Sequence, residues 1–140
     1  MKNSEHKRSE LDKFFGDQLS RWTLACDNFR ALKGVQVKEF PMRGLKVKLQ
    51  HNPARIVSSA AKTDSASLKA RACFLCRENR PAEQFNLTFE GRKGKSYDIL
   101  VNPYPIFPNH LVIALASHRE QSIWSRYVDM LDLARNYQGY

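Results

Sequence analysis

Two cysteines separated by two residues, and two histidines at either end of one apolar run, hold most of the chemistry this 140-residue chain can offer. Cys73 and Cys76 stand in the run CFLC. Two thiolates at C-x-x-C spacing on a tight turn can hold one face of a tetrahedral zinc ion. The pair is a half-site and needs further ligands. Two other readings stand beside it: a redox dithiol, or two unconnected cysteines. A redox dithiol would open a helix directly after a strand. Here Pro81 follows closely and the surroundings read as loop, so the local sequence favours metal. His118 is the best third ligand. It closes the run LVIALA, and a rigid strand can carry a side chain to a neighbouring knuckle. The plainer alternative is a surface histidine that caps the helix after it. His110 opens the same run, just after the bend NPYPIFPN. An imidazole so fixed can hydrogen-bond a phosphate or move a proton, or it is simply a structural histidine at a strand edge. His51, in a turn, and His6, in a charged N-terminal stretch, are weaker candidates.

Other machinery is missing from the 140 residues. There is no Gly-rich phosphate loop, no G-x-S-x-G, and no H-x-H or H-x-x-x-H pair. The basic turn Gly91-Arg92-Lys93-Gly94-Lys95 could touch phosphates, although such tips are commonly just solvated.

These residues need elements to position them. Leu11, Phe15, Leu19, Trp22, Ala25, Phe29 and Leu32 recur at helical spacing, which predicts one amphipathic helix over residues 5–33. Ser4 or Ser9 could cap its start and Gly34 stop its end. The stripe, with Trp22 and Cys26, reads as core packing. VQVKEF and LKVKLQ alternate around a turn at Pro41 to Gly44, which predicts a hairpin. RIVSSA could form a short third strand. KTDSASLKAR reads as loop with one helical turn, and RENRPAEQ as loop. FNLTFEG and SYDILV read as paired strands joined by the turn at Gly91 to Gly94. Three prolines stiffen the bend after Asn102. HLVIALA is the most apolar strand. Ile123, Tyr127, Met130, Leu131 and Ala134 predict a second amphipathic helix from Ser122 to Asn136.

The length allows one domain, over residues 1–140, with a modest core. An apolar fraction of 42% argues against disorder throughout. The 23 Lys and Arg against 14 Asp and Glu give a net charge of +9. That balance suits an anionic partner, or a merely solvated basic surface. The cations are scattered, so a dedicated nucleic-acid tail is not indicated. Three cysteines, no apolar leader and no run near the ~18 apolar residues of a membrane span point to a cytoplasmic protein with reduced thiols and no membrane partner.

Asn102, Pro105, Pro108 and His110, followed by LVIA and His118, together resemble the strand-bend-strand of the histidine-triad (HIT-like) superfamily. The preceding CFLC and the segment HNPARIVSSA are similar to the branch holding galactose-1-phosphate uridylyltransferases and GDP-sugar phosphorylases. The resemblance spans roughly Leu45 to Tyr140. It implies an α+β fold, a mostly antiparallel sheet with helices packed on one face. It implies that Asn102 contacts the ribose of a nucleotide or nucleotide sugar and that His110 lies beside the catalytic site. It implies a structural zinc on Cys73, Cys76 and His118. The departure is equally plain. The family's nucleophile sits in an H-x-H-x-H or H-x-H-x-Q strand, as does the uridylyltransferases' fourth zinc ligand, and the chain has no such strand. The expectation is therefore an N-terminal part, residues 1–34 a helix and 35–140 an incomplete HIT-like domain. It would belong to a nucleotidyltransferase or phosphorylase and be unable to catalyse alone. An open sheet edge would favour a homodimer, or association with a C-terminal half. The alternative is a non-catalytic zinc-stabilised module that binds nucleic acid or an acidic protein.

Overall fold

A computed structural model of the chain describes residues 2–55, 60, 62–120 and 122–137. The expected third strand, RIVSSA, and the final QGY fall largely or wholly outside them. The N-terminal apolar stripe forms two helices, α1 (Lys2–Arg21) and α2 (Thr23–Ala31), followed by a single tight turn over Leu32–Gly34. A single helix over 5–33 is thus corrected. Trp22 is extended, with φ −122° and ψ 94°. Phe15 and Phe29 meet edge to face at 5.0 Å. In one straight helix those residues would lie roughly 21 Å apart. Burying Phe29 against Phe15 stabilises the fold-back, and Trp22 N–H to Gln18 O and Cys26 N–H to Trp22 O keep the backbone satisfied through it. Because α1 already begins at Lys2, Ser4 and Ser9 lie inside the helix and do not cap it.

The hairpin forms as expected from β1 (Gln36–Met42) and β2 (Leu45–His51). Its turn is tighter than the expected four residues. Arg43 and Gly44 have φ of 48° and 80°, the left-handed pair of a type I′ turn. Every residue of both strands is exposed. Gln50 Nε2 ties the hairpin to Ile106 O at 2.9 Å. After it comes the short helix α3 (Ser65–Ala70), capped by the Asp64 carboxylate on Ser67 N–H.

The second sheet carries the core. β3 (Leu87–Glu90), β4 (Ser96–Val101) and β5 (Leu111–Leu115) run antiparallel in that order, with β4 central. The fold is therefore α+β with two small antiparallel sheets, where one continuous sheet was expected. Alternation divides the two faces of β4. Tyr97, Ile99 and Val101 are buried with Phe89 against Leu11 and Phe14 of α1 and against Tyr137. Asp98 and Leu100 point to the other face and are buried as well. The last helix, α4 (Tyr127–Asn136), begins later than the expected Ser122. A turn closed by Arg126 N–H on Ile123 O precedes it, and Trp124 there is 94% exposed. None of the helices among the described residues is long and apolar enough to cross a membrane.

α4 is pinned through a buried carboxylate. Asp129 accepts from Tyr97 Oη at 2.7 Å and from Arg92 N–H at 2.8 Å. Gly91 lies flat on this contact, since a Cβ there would meet the Tyr97 ring at 2.7 Å. Burial first, and then the bond to Asp129, push the Tyr97 phenol up to about 12. A phenol raised above its unfolded value of about 10 contributes stability that is fully present below that value. The contribution is lost as pH rises through about 12. We expect the urea midpoint to fall across this window. Tyr97→Phe should flatten the fall while costing roughly 1 kcal/mol near neutral pH. An alkaline limb unchanged by the substitution would contradict the Tyr97–Asp129 contact.

Candidate metal centre and adjoining polar site

The turn of CFLC is built by local hydrogen bonds. Cys76 N–H donates to Cys73 O at 3.1 Å, and Asn79 Nδ2 donates to the same carbonyl at 3.0 Å. Arg80 donates through Nε and Nη2 to Leu75 O. This knuckle sits on the face of β4 opposite the helices, and Asp98 holds it there. Arg77 reaches Asp98 in a two-point fork, Nε to Oδ2 at 3.0 Å and Nη2 to Oδ1 at 2.7 Å. Arg80 Nη2 adds a bond of 2.8 Å and Asn86 Nδ2 one of 3.1 Å. Asp98 is 0% exposed, and the Arg80 side chain is nearly as buried. The two guanidiniums, Arg77 foremost, hold the Asp98 carboxyl below the usual carboxylate range.

β5 delivers the third candidate ligand. His118 follows its end by three residues, and its Nδ1 lies 3.1 Å from Cys76 Sγ. The ligand atoms of Cys73, Cys76 and His118 all lie within 4.8 Å of one another. Bonds of about 2.3 Å to sulfur and 2.0 Å to nitrogen space neighbouring ligands by roughly 3.5 Å in a tetrahedron. The observed spacing needs only small side-chain adjustment to meet that geometry. The Leu75 backbone N–H lowers the Cys73 thiol, whereas burial raises that of Cys76. Two soft sulfurs and one imidazole suit zinc among the common divalent ions. The donor set therefore fits, with one tetrahedral position left for water or another ligand. α4 starts well beyond His118, so this histidine is no helix cap.

The other end of β4 and β5 carries the second site. Asn102 N–H pairs with His110 O at 3.0 Å, which closes the proline bend into a loop. Asn28 Nδ2 braces that loop on Pro103 O at 2.8 Å. Asn102 Oδ1 accepts from Tyr104 N–H at 2.9 Å, which orients its amide. His110 Nδ1 faces Ile106 N–H at 3.3 Å, and Phe107 packs on the imidazole at 4.3 Å between centroids. Burial foremost, then the charge of Arg55, lowers the His110 pKa and favours the neutral ring. Its Nε2 faces the Asn102 Nδ2 amide at 3.4 Å. A neutral ring has one acceptor nitrogen, so it cannot accept from both the Ile106 N–H and the Asn102 amide, and one donor at this loop is left over.

Arg55 is the residue that sequence reasoning passed over. Its Nε is buried and has no hydrogen-bond partner among the described residues, although its charge reaches His110. A buried N–H left unpaired is costly unless a ligand completes it. A lone arginine in HNPAR has no periodic signal; only its place after an Asn-Pro turn hinted at a fixed position. The structure thus brings together two groups: Cys73, Cys76 and His118 at one end of the sheet, and Asn102, His110 and Arg55 at the other.

No curated protein and no solved structure matches the chain significantly. A model for a domain of unknown function, DUF4922, matches residues 14–140, which includes every residue of both sites, and the chain accordingly belongs to the DUF4922 family.

Proposed function

We propose that the chain is a HIT-like nucleotide-binding module that takes a nucleoside phosphate, a nucleotide sugar among them, at Asn102, His110 and Arg55. The observation that carries this reading is Arg55 Nε, buried with no partner among the described residues, whose charge reaches a His110 ring that cannot accept from both Ile106 and Asn102. A phosphate oxygen or a ribose hydroxyl would accept from Arg55 and from the donor left over, and Arg55 supplies the charge an anion needs. The resemblance of Asn102 through His118 to the histidine-triad strand-bend-strand supports the same assignment. In this reading Cys73, Cys76 and His118 hold a structural zinc that crosslinks the knuckle to the end of β5.

Recognition, not attack, is what these 140 residues would contribute. In the resembled enzymes a histidine attacks the α-phosphate and forms a covalent nucleotidyl intermediate. None of His6, His51, His110 or His118 stands in an H-x-H pattern. An attacking imidazole would have to come from outside these residues. Its transition state would then be stabilised by donors already in place.

Calorimetric titration with nucleoside mono- and diphosphates tests the reading. Saturable binding is expected, weakened about tenfold by Asn102→Ala and by Arg55→Ala. Oligonucleotide binding with steep salt dependence and no response to mononucleotides would instead favour the nucleic-acid module.

A further inference from the structure

The knuckle end of the sheet carries a second concentration of positive charge. A cleft of about 420 Å³ opens there, lined by Gly94, Lys95, Ser96, Ser117, Arg119 and Arg126 together with Leu115 and Ala116. Three side chains are cationic and two bear hydroxyls, and no carboxylate lines it. Two acids beside it are already engaged. Asp129 lies 3.5 Å from Lys95 Nζ and is bonded to Tyr97 and Arg92, and Glu90 accepts from Ser96 Oγ at 3.0 Å. Lys95 also donates to Ser125 O, and one nitrogen of Arg126 donates to Ser122 O. Each of these side chains keeps further N–H donors. Among the described residues, neither Arg119 nor Arg126 has a carboxylate partner. Like charges gathered in one concavity repel, and an anion seated between them removes that cost.

We propose that this cleft binds the phosphate group of a small anionic molecule, a monophosphate or diphosphate, with Arg119 and Arg126 as the principal contacts. It is separate from the Asn102–His110–Arg55 site, because the length of β4 lies between them, roughly 17 Å. Its volume falls within the range of small-molecule pockets, about 300–1,000 Å³. One wall is shared with the metal centre, since Ser117 and Arg119 flank His118.

The test is calorimetric titration with inorganic pyrophosphate in protein carrying Arg55→Ala, which removes the cation of the other site. One saturable site is expected to survive. Adding Arg119→Ala should weaken it about tenfold, and adding Arg126→Ala should weaken it further. Arg119 is exposed and has no side-chain hydrogen bond or ion pair among the described residues, so the Arg119→Ala step decides even if loss of Arg126, at the start of α4, impairs folding. Arg119→Lys should restore part of the affinity. Three results overturn the proposal: no saturation at millimolar pyrophosphate, loss of all binding on Arg55→Ala alone, or an affinity unchanged by Arg119→Ala. Failure here leaves nucleotide binding at Asn102 unaffected, so the two sites are judged separately.

Discussion

Stripping metal from the reduced protein should lower its melting temperature by about 10 °C or more, equivalent to roughly 3 kcal/mol. Cys73, Cys76 and His118 come from two segments joined in sequence only through the whole β3–β4–β5 sheet. An ion on all three therefore closes a long loop. Without it, the CFLC knuckle is held by its own turn bonds and by Asp98, and beyond the Ala116 N–H bond to Ser96 O residues 117–119 lose an anchor. Leu11, Phe14, Phe89, Ile99 and Val101 pack on the opposite face, so the helical signal should largely survive. Cys73→Ser with Cys76→Ser should reproduce the loss and abolish the response to chelator. A protein whose melting temperature is indifferent to both treatments would contradict the metal centre.

Asp98→Ala should destabilise the chain by about 3 kcal/mol or more. The carboxylate is fully buried and receives Arg77, Arg80 and Asn86. Arg77 can turn to water when it loses this partner, but Arg80 is 5% exposed and would keep a buried, uncompensated charge. Asp98→Asn should cost less, since an amide oxygen still accepts one guanidinium. Both variants should also weaken metal retention, because Arg77 follows Cys76 directly and fixes the knuckle's orientation. The folded carboxyl titrates below its unfolded value. Its contribution is thus present above about pH 3.9 and is lost as pH falls through the folded value. The acid limb of a stability–pH curve should be shallower in Asp98→Asn than in the natural protein. Equal stability of Asp98→Ala and the natural protein, measured by urea denaturation, would contradict the network.

Much of this was legible in the residues. Gly44 between two alternating runs announced the first hairpin, and Gly91 to Gly94 the second. C-x-x-C and His118 declared themselves by donor type, and the prolines after Asn102 by their stiffness. The kink at Trp22 was hidden because Leu11, Trp22 and Ala25 keep helical period straight through it. The separation of β1 and β2 from the core sheet was hidden because alternation gives pairing within a hairpin and not its neighbours. Nothing in SYDILV marks Asp98 as buried. Only the contact with Arg77 and Arg80, which looked like loop residues, shows that both faces of β4 are covered. Arg55 and Arg119 were single cations among many, and only the third dimension distinguishes them.

The most direct test follows the side-chain N–H groups of His110 and Asn102 by heteronuclear magnetic resonance during titration with a nucleoside diphosphate. Nucleotide binding at this site predicts that the His110 ring and Asn102 amide resonances shift together and saturate as nucleotide is added. Resonances of both groups that stay unmoved at millimolar nucleotide would contradict it.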